Sequence, residues 1–321
     1  MALGFIHWTS RPVVAALKEP GGLSNASWQV PKTAEDYNNR GLSRQSSGDL
    51  DGAISDYTNA LSLKAKPAVL AIIYNNRANA FMAKNDFAAA IADYSRAIEL
   101  QPSEHENYFN RGIAFYNKRD LDAAVLDFSK VIELQPKFAR AYNERGNARM
   151  DKGDVEGATA DYSIAITLSP KSVTFYYNRG IALQNLRQTD AAIKDFSEAL
   201  RLAPGFHQAN ISRAVALFEK GDLDGAIADY TRALELESND ASIFYGRGTA
   251  LQKKNDLEGA LADYTKAIEL DHTHALAYVS RGVVKVLLHR PDASADFETA
   301  FRLDPSLKAS YSEFYEKRGK P

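Results

Sequence analysis

Eight arginines and eight aspartates stand at a fixed spacing: Arg40, Arg77, Arg111, Arg145, Arg179, Arg213, Arg247 and Arg281, then Asp56, Asp93, Asp127, Asp161, Asp195, Asp229, Asp263 and Asp296. Each aspartate follows its arginine by sixteen residues, or by fifteen in the last pair. The chemistry this suits is a partly buried ion pair that locks one helix to another. The other reading is a basic stripe for an acidic ligand, and the matching aspartates argue against it. Catalytic chemistry finds no comparable pattern. The six histidines, His7, His105, His207, His272, His274 and His289, have no carboxylate or second histidine at the i, i+4 spacing that sets two ligands on one helix face. The chain has no cysteine, which excludes disulfides, thiolate metal sites and a cysteine nucleophile. No G-x-x-x-x-G-K-[ST] phosphate cradle occurs, and paired carboxylates such as Asp49 and Asp51 fall in solvated turns. No enzyme is expected, and no metal or cofactor.

The elements that must position these charges are helices. Residues 105–138 are the clearest example. Tyr108, Gly112 and Phe115 fall at i, i+4, i+7, and Leu121, Ala124, Val125, Phe128, Val131 and Ile132 continue a 3.6-residue period. Gly112 and Ala124 lack bulk where two such helices would cross, and Pro136 ends the second helix. One helix pair cannot bury its stripes alone, and copies of it run through the chain. A small residue recurs at Gly41, Ala78, Gly112, Gly146, Gly180, Ala214, Gly248 and Gly282. Four residues earlier stand Tyr37, Tyr74, Tyr108, Tyr142, Tyr176, Asn210, Phe244 and Tyr278. Sixteen later in most copies stands a second aromatic: Tyr57, Tyr94, Phe128, Tyr162, Phe196, Tyr230, Tyr264 and, one residue short, Phe297. The turn between paired helices is written as Gly48, Asn85, Gly153, Gly221 or Asn255, which favour a left-handed helix end, followed by an aspartate N-cap. Arg119-Asp120 and Arg187-Gln188 depart from this, so less regular turns are expected there.

This pattern resembles the tetratricopeptide repeat family, whose 34-residue helix–turn–helix carries an aromatic, a glycine, an alanine, a second aromatic and a proline at these spacings. The resemblance spans residue 34 to about residue 308. It implies an all-α, right-handed superhelical solenoid of eight repeats. Residues 309–321 are expected to form a capping helix, and residues 1–33 a leader of low order. The leader lacks a basic n-region and a long apolar h-region, so it is a poor signal peptide and a cytoplasmic location is expected.

The resemblance also implies a ligand face. In this family the first helix of each repeat lines the inner side of the superhelix, through positions around the crossing residue. Carried onto this chain, those positions include Asn38, Asn39, Asn75, Asn76, Asn79, Phe109, Asn110, Tyr116, Asn143, Asn147, Tyr177 and Asn178. A carboxamide offers donor and acceptor together and so matches a peptide backbone of any sequence. Asparagine is a poor helix former, so its repeated use here asks for a reason beyond propensity. The expectation is an amide ladder whose donors and acceptors lack intramolecular partners. Solvation of a polar groove is the plainer alternative. Family members that grip a C-terminal carboxylate use lysine and arginine on this face. Lysine is absent from the matching positions here and Glu144 stands where arginine would be wanted, so that ligand is not expected.

Composition supports the same class. The formal net charge is −2 with 25% charged residues, so no global field draws nucleic acid or an anionic membrane. The apolar runs fall far short of the ~20 residues of a membrane span. The reading is a non-catalytic scaffold that holds an extended peptide or partner segment. The alternative is a self-assembling protein that associates through its apolar last repeat or its leader.

Overall fold

The computed structural model describes residues 31–317, and the regular elements in that span are all helices. They fall into two compact units that divide at Pro170. The first holds α1 (Ala34–Ser46), α2 (Leu50–Leu61), α3 (Pro67–Ala83), α4 (Phe87–Leu100), α5 (His105–Asn117), α6 (Leu121–Leu134), α7 (Ala139–Lys152) and α8 (Val155–Leu168). The second holds α9 (Val173–Asn185), α10 (Thr189–Leu202), α11 (His207–Lys220), α12 (Leu223–Leu236), α13 (Ala241–Lys253), α14 (Leu257–Leu270), α15 (Ala275–Leu287), α16 (Ala293–Leu303) and α17 (Leu307–Lys317). Apart from residues 31–33, the expected leader lies outside the described residues. Among the described residues no helix is long and apolar enough to cross a membrane.

Each odd-numbered helix up to α15 packs on the even-numbered helix after it, and within each unit successive pairs stack. The close approach inside a pair comes from the small crossing residue. A Cβ built on Gly180 would lie 2.5 Å from Phe196 Cε1, and one on Gly112 would lie 2.8 Å from Phe128 Cε1. Both rings are buried, so a side chain there would have to displace the core.

The turns inside the pairs are more uniform than the sequence suggests. Arg119 and Arg187 adopt φ of 67° and 57°, in the same left-handed region as Gly48, Asn85, Gly153, Gly221 and Asn255. The irregular turn expected at Arg119 is therefore not found; at Arg187 the left-handed residue is kept, but Gln188 gives α10 no side-chain cap. Packing of the flanking helices overrides the preference of the residue, and Asp120 still caps α6 through the Ala123 amide. Aspartates 49, 86, 154, 222 and 256 cap their helices in the same way. Pro67 opens α3 at a position where its missing N–H leaves no bond unmade.

At the C-terminal end, α17 packs on α15 and α16. Tyr315 sets its ring against Phe297 and Phe301, with centroids 5.9 and 5.6 Å away. Leu307, Tyr311 and Phe314 join the same cluster, which covers the apolar side of the last pair.

Candidate partner-binding face

The arginine–aspartate spacing closes as an ion pair in every copy. In each, the arginine Nε and Nη2 donate to the two carboxylate oxygens of the aspartate on the second helix, at 2.5–2.9 Å. The aspartates are buried and the guanidiniums half-buried. Being bidentate and charge-assisted, these are strong, orientation-fixing bonds. The bond from the aspartate holds the guanidinium pKa up at Arg77, Arg179, Arg213 and Arg247, against the effect of burial.

The third arm of the fork reaches one repeat back. Nη1 of Arg77, Arg111, Arg145, Arg213, Arg247 and Arg281 donates to the hydroxyl of Thr58, Ser95, Ser129, Ser197, Thr231 and Thr265. Each of these hydroxyls donates its own proton to a carbonyl four residues earlier, which leaves a lone pair free to accept. The arginine thus ties its own pair together and ties that pair to the one before. In most copies it also lies over the first aromatic, as Arg40 does over Tyr37 at 5.4 Å. Each of these eight arginines is committed to a carboxylate, so a basic stripe open to an acidic ligand is not what they form.

The first helices also pack on one another. In addition to their even-numbered neighbours, α1 touches α3, α5 touches α7, and α9, α11, α13 and α15 touch in succession. No even-numbered helix makes such a contact with the next even-numbered one inside a unit. The first helices are therefore the more tightly spaced layer, which makes theirs the inner face of each unit.

The asparagines on that layer behave differently from the expected ladder. Asn38, Asn75, Asn76, Asn79, Asn110, Asn143, Asn147 and Asn178 are buried, and only Asn39 is exposed. Several amides are spent inside the protein. Tyr94 Oη donates to Asn79 Oδ1 at 2.5 Å, Asn79 Nδ2 donates to Asn75 Oδ1 at 3.1 Å, and Asn75 Nδ2 donates to Asn107 Oδ1 at 2.7 Å. That chain runs from α4 through α3 to α5. Asn76 Nδ2 donates to Asn38 Oδ1 at 2.9 Å, joining α3 to α1. Asn147 takes a bond from Tyr162 Oη at 2.8 Å and gives one to Glu144, as Asn143 also does. The expectation of unpartnered amides is corrected for these bonds, while Asn38 Nδ2 and Asn76 Oδ1 are buried with no hydrogen-bond partner; the reason for the bonds is geometric. First helices stand close enough for a short carboxamide on one to reach the next.

The aromatics have similar internal roles. Phe109 is buried between Phe128 and Phe138, at 5.7 and 5.1 Å, with Arg140 above its ring at 5.0 Å. Tyr177 is buried between Phe196 and Phe206, at 5.9 and 5.0 Å. Tyr116 is half-buried and donates to Asp151 at 2.7 Å; burial, then that carboxylate, push its phenol far up. Sequence reasoning missed the partners of Phe109 and Tyr177. The available signal was a second ring 29 residues later, at Phe138 and Phe206, and again at His274 against Tyr245.

Residues 71–104, 105–138, 173–206 and 241–274 match family models described as tetratricopeptide repeat, and residues 146–186 and 214–255 match one described as TPR repeat. Together these segments cover more than half of the chain. It belongs to the tetratricopeptide repeat family. No match is found among curated proteins. Among solved structures, the chain is similar to YrrB, described as a TPR protein with an unusual peptide-binding site. Identity there is 26% with a TM-score of 0.53, over 57% of this chain and 95% of that one. Two tetratricopeptide repeat proteins of lower identity share the fold. One is the C-terminal part of a protein from Cytophaga hutchinsonii, at 18% identity and TM-score 0.62, covering 73% of this chain and 97% of that one. The other is from Parabacteroides merdae, at 20% identity and TM-score 0.56, covering 76% and 97%. Family and fold are those of a protein-interaction scaffold.

Proposed function

We propose that this protein is a non-catalytic scaffold that holds an extended partner segment against the first-helix face of its repeats. One observation carries the reading. Within each unit the first helices are packed by second helices and by one another, and no further layer of helices covers their inner side. Half-buried side chains such as Leu42 in the first unit and Ile211, Val215 and Phe218 in the second therefore lie on these helices with no role in the ion-pair locks. The description of YrrB as having a peptide-binding site supports the same direction.

The test compares two variants in quantitative affinity capture. Arginine at Leu42 and Ile211 is expected to abolish most specific capture, while arginine at Leu126, which is exposed on α6, leaves it intact. Equal capture by both variants, or loss only with the α6 variant, overturns the proposal.

A second reading, self-association, has one observation in its favour. Leu276 and Leu287 are 40% and 45% exposed at the two ends of α15, eleven residues apart and so on one face. If that face pairs, the mass measured by sedimentation rises with concentration, and Leu276→Glu with Leu287→Glu removes the rise. A mass independent of concentration in the unaltered chain excludes it.

A further inference from the structure

A rule relates the second aromatic of a repeat to its first helix. Where the aromatic is tyrosine, the first helix supplies a carboxamide oxygen: Tyr57 Oη donates to Gln45, Tyr94 to Asn79, Tyr162 to Asn147 and Tyr264 to Gln252, at 2.5–2.8 Å. Where it is phenylalanine, as at Phe128 and Phe297, the same two positions hold Ile113 and Tyr116, or Val283 and Val286. Buried hydroxyls and buried amides thus come in matched sets, because either one alone leaves a polar group unpaired.

Repeats five and six break the rule in opposite senses. Repeat five has Gln184 at the position of Gln45 and Gln252, but its aromatic is Phe196, and Gln184 Oε1 is buried with no hydrogen-bond partner. Repeat six has Tyr230, but Val215 and Phe218 occupy the two acceptor positions, so its first helix offers the hydroxyl no carboxamide there. Tyr230 is also 6% exposed, whereas Tyr57, Tyr94, Tyr162 and Tyr264 are fully covered. Its ring leans on Gly246, where a Cβ would lie 2.7 Å from Cζ and 2.9 Å from Oη. Other copies put Asn76, Asn110, Asn178 or Ser212 at that position and fill the space between neighbouring first helices. Glycine leaves it to the tyrosine tip. Burial pushes the phenol up to about 12, so it stays a donor at neutral pH.

These two groups lie in one unit, on either side of α11. Between them α11 presents Ile211, Val215 and Phe218 at i, i+4, i+7, all half-buried, with the Lys253 ammonium 4.6 Å from the centre of the Phe218 ring. We infer that repeats five and six are where the partner segment engages: a bulky apolar side chain seats on Ile211, Val215 and Phe218, a main-chain N–H donates to Gln184, and a main-chain carbonyl accepts from Tyr230. An extended backbone supplies both complements whatever its sequence. Gaps on either side of one helix are roughly 8–10 Å apart, which about three residues of extended chain span. The inference rests on the scaffold reading and names the place and the partner chemistry.

The experiment uses 12-residue peptides selected from a phage-displayed random library on the full chain. The key variant is Phe196→Tyr. Phe196 is fully buried and cannot touch a peptide, and its ring meets Gly180 as Tyr57 meets Gly41, at 2.5 and 2.6 Å from the built Cβ. The added hydroxyl therefore points at Gln184 and satisfies it internally. Phe196→Tyr is expected to keep or raise the melting temperature while weakening the selected peptides about three- to tenfold, the worth of one net hydrogen bond. Gln184→Met is expected to weaken them similarly, and Phe196→Tyr with Phe218→Gln by more than tenfold. The selected peptides should share a bulky apolar residue. Peptides that bind Phe196→Tyr and Gln184→Met as tightly as the unaltered chain overturn this inference and leave the scaffold reading standing. Failure to select any peptide overturns both.

Discussion

Replacing Asp161 with alanine is expected to cost roughly 3–5 kcal/mol, and replacing it together with its arginines to cost less. Asp161 is 1% exposed and accepts three charged bonds, from Arg145 Nε at 2.9 Å, Arg145 Nη2 at 2.6 Å and Arg149 Nη1 at 2.8 Å. Removing it strands two guanidiniums whose side chains are only 16% and 27% exposed. Breaking a buried pair from one side leaves an uncompensated charge, which is the origin of the 3–5 kcal/mol figure. Exchanging all three for apolar residues, Arg145→Met, Arg149→Met and Asp161→Leu, removes the charges as well as the bonds. What is then lost is the Arg145 bond to Ser129, the Arg149 contacts with Gly157 O and Asp154, and the orientation the fork supplied. Urea unfolding followed by circular dichroism reads both variants. A single-variant loss below about 1 kcal/mol would put the pair in the class of exposed ion pairs and sink this account.

That lock was legible because it is written eight times. Repetition turns a pair of residues that means little once into a spacing that only a fixed helix–helix geometry explains. The repeat register, the crossing residues and the aspartate caps were readable for the same reason. The hydroxyl that takes the third arm was equally repeated, two residues after the aspartate at Thr58, Ser95, Ser129, Ser197, Thr231 and Thr265. In the last copy, which no further arginine of this series follows, Glu298 stands there instead. The signal was present but pointed across repeats, where a reading confined to one repeat does not look. The turns at Arg119 and Arg187 failed for a different reason. Local propensity argued against a left-handed residue, and the packing of two whole helices outweighs a penalty of order 1–2 kcal/mol at one residue.

The internal bonds of the asparagines were not legible because two physical roles produce the same residue type in the same place. A ladder kept for a peptide and a bridge between first helices both need a short carboxamide facing a neighbour. What separates them is covariation inside the chain. Asn79 and Asn147 occur with Tyr94 and Tyr162, while Ile113 and Ile181 occur with Phe128 and Phe196 at the same register. An amide that follows the presence of a hydroxyl is there for the hydroxyl. Tyr230 and Gln184 stand outside that correspondence, in repeats six and five; in the first two repeats the atoms left without a partner are Asn38 Nδ2 and Asn76 Oδ1, which face no tyrosine hydroxyl in the same way.

Asn75→Ala is therefore expected to destabilise the fold by about 2 kcal/mol or more and to leave partner binding unchanged. Asn75 is the middle link of the chain from Tyr94 through Asn79 to Asn107. Truncating it removes one acceptor of the Asn79 amide and orphans the Asn107 carbonyl acceptor, 6% exposed, and a buried unpaired group costs roughly 1–3 kcal/mol. Asn76→Ala strands the fully buried Asn38 Oδ1 and should cost about half as much. Asn39→Ala is the control, since Asn39 is exposed, and it should change nothing. Melting temperature and affinity for the selected peptides, measured on the same three proteins, separate the two roles. A ladder kept for a ligand predicts the reverse pattern: unaltered stability, with binding lost in proportion to the number of rungs removed. If Asn75→Ala melts with the unaltered chain yet releases the peptide, the amides of α3 face a partner after all, and the bridge from α4 to α5 contributes nothing to holding the repeats together.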